Sequence, residues 1–361
     1  MKYSVIIPVY NRPDEVGELL ESLCKQAFSD FEVIVVEDGS SVTCEDVVRQ
    51  FQNQLQIQYL TKENGGPGQA RNYGASHARG HYYIVLDSDV VLPPGYLQAI
   101  EDELQAKPCD AFGGPDSAHP DFTPIQKAIS YSMTSFFTTG GIRGGKRKMD
   151  KFYPRSFNMG IKAELWNELG GFSKMRFGED IDFSIRIFKS GATCRLFPEA
   201  WVWHKRRATF RQFFKQVHNS GIARINLFKK YPDSLKLVHL LPAVFTVGVA
   251  LLTLVFIVGL FFLIVGLFAG YCDSSGCNMG LVLAYIGGAI MALALTPLVL
   301  YSLLLFTDSA LQNRSVHVGL LSIPAAFCQL IGYGSGFIRA WWQRCVCGRD
   351  EFSAFKDNFY K

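Results

Sequence analysis

Two aspartates one residue apart, Asp87 and Asp89 in "LDSDVVLPPG", stand directly after "HYYIV", a β-branched and aromatic run. Side chains two apart on an extended chain project to the same side, so these carboxylates, with Ser88 between them, can hold a divalent cation. The same residues could instead end a strand and cap the helix that follows the two prolines. A second acidic group, Glu179, Asp180 and Asp182 in "FGEDIDF", follows a glycine turn at the mouth of a helical pattern. Carboxylates crowded there repel one another, which raises the pKa of at least one and suits it to proton transfer. Acids at a helix start also simply complement its dipole.

Elements must bring these groups together. "YSVIIPVYN" reads as a buried strand and turn, and "RPDEVGELLESLCKQ" as a helix whose Val16, Leu19, Leu20 and Leu23 recur at helical spacing. "FEVIVVEDGSS" is a second strand ending in Glu37 and Asp38, followed by a polar helix around 45–54 and the strand "IQYLT". "NGGPGQARNYGASHARG" is a glycine turn opening a helix, and "HYYIVLDSD" is the next strand. Strand and helix alternating at this spacing predict an open, mostly parallel α/β sheet, which binds ligands at the carboxyl ends of its strands. Three such ends carry polar residues: Tyr10 and Asn11, Glu37 and Asp38, Asp87 and Asp89. Gly65, Gly66 and Gly68 miss the G-x-G-x-x-G spacing, which argues against a nicotinamide or flavin site.

Apolar residues are spread unevenly over the 361 positions. Up to about Lys230 the chain mixes charge, glycine turns and short apolar runs. Beyond it, segments 237–269 and 281–306 carry no Asp, Glu, Lys or Arg, and each exceeds the roughly 20 apolar residues that cross a bilayer. A third segment, 316–338, is broken by glycine and proline and reads as a crossing, a re-entrant or an interfacial helix. No signal-peptide core is expected at the start, which turns polar after a handful of apolar residues, so the soluble part is expected in the cytosol. Lys229, Lys230 and Lys236 precede the first apolar segment, while "GYCDSSGCNMG" after it has no Lys or Arg, in keeping with a cytosolic start. Three full crossings would place the basic tail with Arg344, Arg349, Lys356 and Lys361 outside, against that rule.

Among nine cysteines no zinc spacing appears; Cys24, Cys44, Cys109 and Cys194 read as reduced core thiols, and Cys272 with Cys277 as a pair that could bridge in an oxidising compartment. The net charge of +4 is modest, and basic residues gather in 143–155 and 204–215. The second cluster leads toward a membrane segment, so anionic headgroups or phosphates are nearer partners than nucleic acid.

Taken in order, "VIIPVYNR", "VVEDGSS", "NGGPGQARNYG", "LDSDV", "FNMGIKAELWNELGGF" and "FGEDIDFSIRI" resemble the motif set of the family 2 glycosyltransferases, inverting enzymes of the GT-A fold that use nucleotide-activated sugars. The likeness covers essentially the whole soluble part. It implies that Pro8, Tyr10, Asn11, Asp38 and Arg71 hold the nucleoside, and that Asp87, Ser88 and Asp89 form the D-x-D that binds the donor's ribose and a diphosphate-bound Mg²⁺ or Mn²⁺. Asp180 corresponds to the base, with Asn158, Trp166 and Glu179 on the acceptor side, where Trp166 could stack on a sugar or equally be core. His204, closing "AWVWH", matches a position of a further metal ligand, although a histidine ending an apolar strand is more often structural. Lys205, Arg206 and Arg207 are candidates for gripping diphosphate or an anionic lipid, or for a solvated face.

The expected layout is a nucleotide-sugar half over 1–115, an acceptor half over 116–230 and a membrane region over 231–361. No Gln-x-x-Arg-Trp follows Asp180, which favours single addition over processive polymerisation. The expected activity is transfer of one sugar from a uridine diphosphate sugar to a hydroxyl on a lipid-linked or glycan acceptor. A polyprenyl phosphate acceptor, and a membrane protein that binds nucleotide sugars without catalysis, are the alternatives.

Overall fold

The computed structural model describes residues 1–117, 119, 121–139, 153–175, 177–272 and 279–355. The chain opens with β1 (Tyr3–Val9), α1 (Pro13–Cys24), β2 (Phe31–Asp38), α2 (Glu45–Phe51), β3 (Ile57–Lys62), α3 (Pro67–Ala75) and β4 (Tyr82–Leu86). Next come β5 (Val90–Val91), α4 (Tyr96–Ala106), β6 (Ala111–Gly113), β7 (Asp116–Ser117), α5 (Pro124–Thr134) and α6 (Phe136–Thr139). Then follow β8 (Asn158–Lys162), α7 (Ala163–Leu169), α8 (Glu179–Lys189), β9 (Cys194–Leu196) and β10 (Val202–His204). The remaining helices are α9 (Phe210–Lys230), α10 (Leu241–Cys272), α11 (Met279–Asn313), α12 (Val316–Trp341) and the short α13 (Glu351–Ala354).

Seven strands form one sheet in the order β3-β2-β1-β4-β8-β6-β9, and β5-β10-β7 form a second. β3, β2, β1 and β4 run parallel, while β8 is antiparallel to both β4 and β6. All seven residues of β1 are buried, as a central strand covered on both faces requires. Val5, Ile7 and Val9 join one core with Leu19 and Leu20 of α1 and Leu97 and Ile100 of α4. Ile6 faces the other core with Val85, Trp166, Phe183 and Ile187. Each such aliphatic side chain contributes roughly 1.5–3 kcal/mol by leaving water, so the strand order is fixed by these two layers.

The first compact unit takes in the described residues of 1–121, 146–206 and 350–361, and the second those of 122–145 and 207–349. The two halves expected over 1–115 and 116–230 lie together in the first unit up to residue 206, apart from 122–145, whereas 207–230 group with the apolar helices. Residues on either side of 115 share one sheet, because β8 pairs with β4 and β6. α5 and α9 belong instead with the apolar helices, where Ile129, Phe213, Val217, Val318 and Ala325 form one cluster. Among the described residues, three helices are long and apolar enough to cross a membrane: Leu237–Ala269, Met279–Asn313 and Val316–Val346. Cys24, Cys44, Cys109 and Cys194 form no disulfide among the described residues. The Cys272–Cys277 pairing and the basic run at 143–152 lie outside the described residues.

Candidate active site

β4 stops at Leu86, so Asp87, Ser88 and Asp89 lie just beyond a carboxyl end of the large sheet. β10 pairs antiparallel with β5, His204 opposite Val90, which brings a residue from far along the chain beside Asp89. His204 Nε2 lies 3.3 Å from Asp89 Oδ1. One ligand atom from each of Asp87, Asp89 and His204 falls within 4.8 Å of the others. The imidazole stacks on Phe157 at 5.0 Å, and its Nδ1 is buried without a hydrogen-bond partner. Two carboxylate oxygens and an imidazole nitrogen converging on one point are a donor set that suits a divalent cation. Both carboxylates are also held by arginines: Arg12 Nη1 donates to Asp89, and Arg71 Nη2 donates to Asp87 Oδ1 at 2.6 Å. These guanidinium groups offset the repulsion between the paired acids and aim them.

α8 supplies the second pair. Gly178, at φ 87°, lets the chain turn sharply into the helix so that Glu179 and Asp180 start it. Asp182, also expected here, is fully buried and bonded to Ser173 at 2.7 Å and Arg186 at 3.0 Å, so it braces the helix. Arg155 Nε donates to Asp180 Oδ2 at 2.6 Å. Burial works to raise the Asp180 pKa, but the Arg155 charge and hydrogen bond, with the Ile181 amide, hold it below the usual carboxylate range. Glu179 moves the other way, pushed up to about 7 by burial and by the Asp180 charge.

Arg71 joins the two pairs. It is 3% exposed, bonded to Asp87, with Nη1 3.6 Å from Glu179 Oε1. Its Nε and Nη1 are buried without hydrogen-bond partners, leaving donors of a fixed cation available between Asp87 and Glu179.

The remaining expected residues fall into two groups. Pro8 lies in β1 opposite Val36, and Tyr10 and Asn11 follow at the strand end. Asn11 adopts φ 53°, and its amide oxygen accepts from Ser41 N at 2.8 Å and Val42 N at 3.0 Å. Asp38 accepts from Lys62 at 2.7 Å, Gly65 N at 2.9 Å and Gly66 N at 2.8 Å, so its carboxylate pins the glycine turn that opens α3.

Two residues expected on the acceptor side are structural instead. Trp166 is 4% exposed and packs edge-on against Tyr83, Phe172 and Phe183, so its ring offers no face to a sugar. Asn158 is 1% exposed; it accepts from Tyr96 OH at 2.7 Å and donates to Ala200 O at 2.8 Å, so both ends of its amide are occupied.

Residues that sequence reasoning did not single out complete the site. Arg12 and Arg155 hold the two candidate acids, and Asp116 pairs with Arg206 at 2.7 Å, with its Oδ2 3.9 Å from His204 Nδ1. Arg12 sits in the motif-bearing "VYNR" run, which was the signal for it; Arg155 and Asp116 are placed by tertiary structure alone.

Residues 4–169 match the family model described as glycosyl transferase family 2. Residues 4–169 therefore form a family 2 glycosyltransferase domain; the match takes in Asp87, Ser88 and Asp89 and ends before Glu179 and Asp180. One relative is the poly(ribitol-phosphate) beta-N-acetylglucosaminyltransferase TarS of Staphylococcus aureus, 41% identical over 37% of this chain and 26% of its own. Another is the validoxylamine A glucosyltransferase of Streptomyces hygroscopicus, 29% identical over 55% of this chain and 54% of its own. This chain thus spans about a quarter and about half the length of these two relatives. Among solved structures, the mannosyltransferase PcManGT from Pyrobaculum calidifontis aligns with a TM-score of 0.52 at 18% identity, over 95% of this chain and 88% of that one. That likeness extends to the fold, a GT-A-like sheet followed by apolar helices.

Proposed function

We propose that this protein transfers a single sugar, with inversion, from a nucleoside diphosphate sugar to a hydroxyl on a membrane-associated acceptor. The observation that carries the reading is Arg71, a buried cation shared by the D-x-D and the acid pair. Asp87, Asp89 and His204 would hold Mg²⁺ or Mn²⁺, which as a Lewis acid stabilises a departing diphosphate. Arg71 adds positive charge beside the same leaving group. Asp180, kept ionised by Arg155, takes the acceptor hydroxyl's proton as the new bond forms. Uridine diphosphate is the nucleotide we favour, and the names of the two relatives support glucose-type sugars. Lys229, Lys230 and Lys236 before α10 support a cytosolic catalytic unit and a lipid-linked acceptor at the membrane.

A second reading is favoured by the Arg155–Asp180 ion pair. An acceptor that is already an anion, such as a polyprenyl phosphate, needs no base, and Asp180 could then serve only to fix Arg155. The test is nucleoside diphosphate release by the detergent-solubilised full chain, with Mg²⁺ or Mn²⁺, over a panel of nucleotide sugars and both acceptor types. Release that requires a hydroxyl acceptor and is lost in Asp180→Asn supports the first reading. Release to polyprenyl phosphate that survives Asp180→Asn supports the second. Nucleotide binding without release for any pair would overturn both.

A further inference from the structure

The segment after the last apolar helix belongs to the catalytic unit. Phe355 is 1% exposed, its ring 6.5 Å from that of Phe177 just before α8. Phe352 lines a cavity of about 50 Å³ together with Gly66, Gly68, Met175 and Glu179. The chain therefore leaves this unit after Arg206 and re-enters it at Asp350. A chain whose two ends meet in one folded unit lies on one side of a bilayer at both ends, so it crosses an even number of times.

The three apolar helices are not alike. In the most apolar stretches of α10 and α11 the protein buries 11% of the residues, against 39% in the third span. α12 lies against α9 at backbone distance: a Cβ on Gly221 would meet Tyr333 O at 2.1 Å, and one on Gly336 would meet His218 O at 2.0 Å. α9 carries Arg211, Lys215, Arg224, Lys229 and Lys230, a load that hydrocarbon does not accept. A helix in such contact with α9 shares its depth. α12 also meets the entry of α10, where a Cβ on Gly334 would lie 2.3 Å from Pro242 O, and the exit of α11, where one on Gly319 would lie 3.0 Å from Phe306 O. At that exit Asp308 accepts from Tyr131 of α5 at 2.6 Å. The entry of one helix and the exit of the next are the same side of a hairpin.

We infer that α12 lies in the headgroup layer across the base of an α10–α11 hairpin, so that the chain crosses the membrane twice and its C-terminal segment returns to the catalytic side. The partner of the α9–α12 face is thus a lipid surface, with the basic residues of α9 at headgroup level. The inference rests on reading α10 and α11 as membrane-spanning.

Single-cysteine chains test it, made by replacing the other native cysteines and probed with a membrane-impermeant maleimide in vesicles of known orientation. One keeps Cys347, one keeps Cys277, and one carries Asp46→Cys on the exposed start of α2. The expected result is labelling of Cys347 and the residue-46 thiol from one face and loss of Cys277 labelling from that face. Labelling of Cys347 together with Cys277, from the face opposite residue 46, would overturn the inference by showing three crossings. Labelling of all three from one face would overturn it through the hairpin reading instead. A protease-cleavable C-terminal tag on the otherwise native chain gives the same answer without cysteine replacement: cleavage from the catalytic face supports the inference, and cleavage from the opposite face contradicts it.

Discussion

Two carboxylate pairs sit within reach of one arginine, and they behave differently because the backbone beneath them differs. Asp87 and Asp89 are two apart beyond a strand, so both can turn to the same point, and His204 arrives from β10 to complete a ligand triangle. Glu179 and Asp180 are adjacent at a helix start, where neighbouring side chains diverge by about a quarter turn or more. No third ligand group joins them among the described residues. The first pair is set up to share a cation. The second splits its charge, Asp180 ionised against Arg155 and Glu179 near neutrality in proton affinity. Spacing, with His204 beside the first pair and Arg155 beside the second, is what separates the roles proposed for them.

That contrast can be broken from either side. The largest expected effect is on turnover: Asp180→Asn should lower the rate on a hydroxyl acceptor by roughly 10²–10⁴-fold, the range for losing a general base, measured by steady-state nucleoside diphosphate release. A loss confined to the Michaelis constant would place Asp180 in binding instead. Next, His204→Ala should raise the Mn²⁺ concentration needed for half-maximal activity by at least about tenfold, read from a metal titration. An unchanged titration would make His204 a packing residue on Phe157.

Glu179→Gln sharpens the second pair through pH. With its pKa raised from 4.5 to about 7 in the fold, Glu179 binds a proton more tightly folded than unfolded. Stability therefore falls as pH rises from about 4.5 through 7 and levels off above that range. The substitution removes this loss, so the melting temperature of Glu179→Gln relative to wild type should rise between pH 5 and pH 8 in thermal scans. A constant difference would remove the argument for a strained Glu179. The smallest effect belongs to Lys205→Ala, whose ion pair with Glu18 at 2.6 Å lies at the surface. Its loss should change melting or activity by no more than about 1 kcal/mol, or about fivefold.

Much of this arrangement was legible because it is local. The apolar stripe of α1, the buried strands before Asp38 and Asp87, and the glycine turn before Glu179 are each written within a dozen residues of sequence, where period and turn chemistry suffice. What stayed open was long-range. Trp166 sits among polar neighbours in the sequence, yet three aromatic rings from other elements enclose it. Asn158 was expected on the acceptor side, but Tyr96 and Ala200 occupy its amide from distant segments. Arg155 reaches Asp180 only because β8 and α8 bring their leading ends together, and no periodicity encodes that. The side of the C-terminal segment was likewise undecidable from charge counts, and the inference drawn above for it starts from where Phe355 packs.

The division of labour between the pairs is tested most directly by one binding measurement, Mn²⁺-dependent binding of uridine diphosphate to Asp180→Asn and Asp89→Ala side by side with the wild-type chain. The account predicts that Asp180→Asn binds the nucleotide as the wild type does and that Asp89→Ala loses the Mn²⁺-dependent part. Metal-dependent binding retained by Asp89→Ala, or lost in Asp180→Asn, would contradict it.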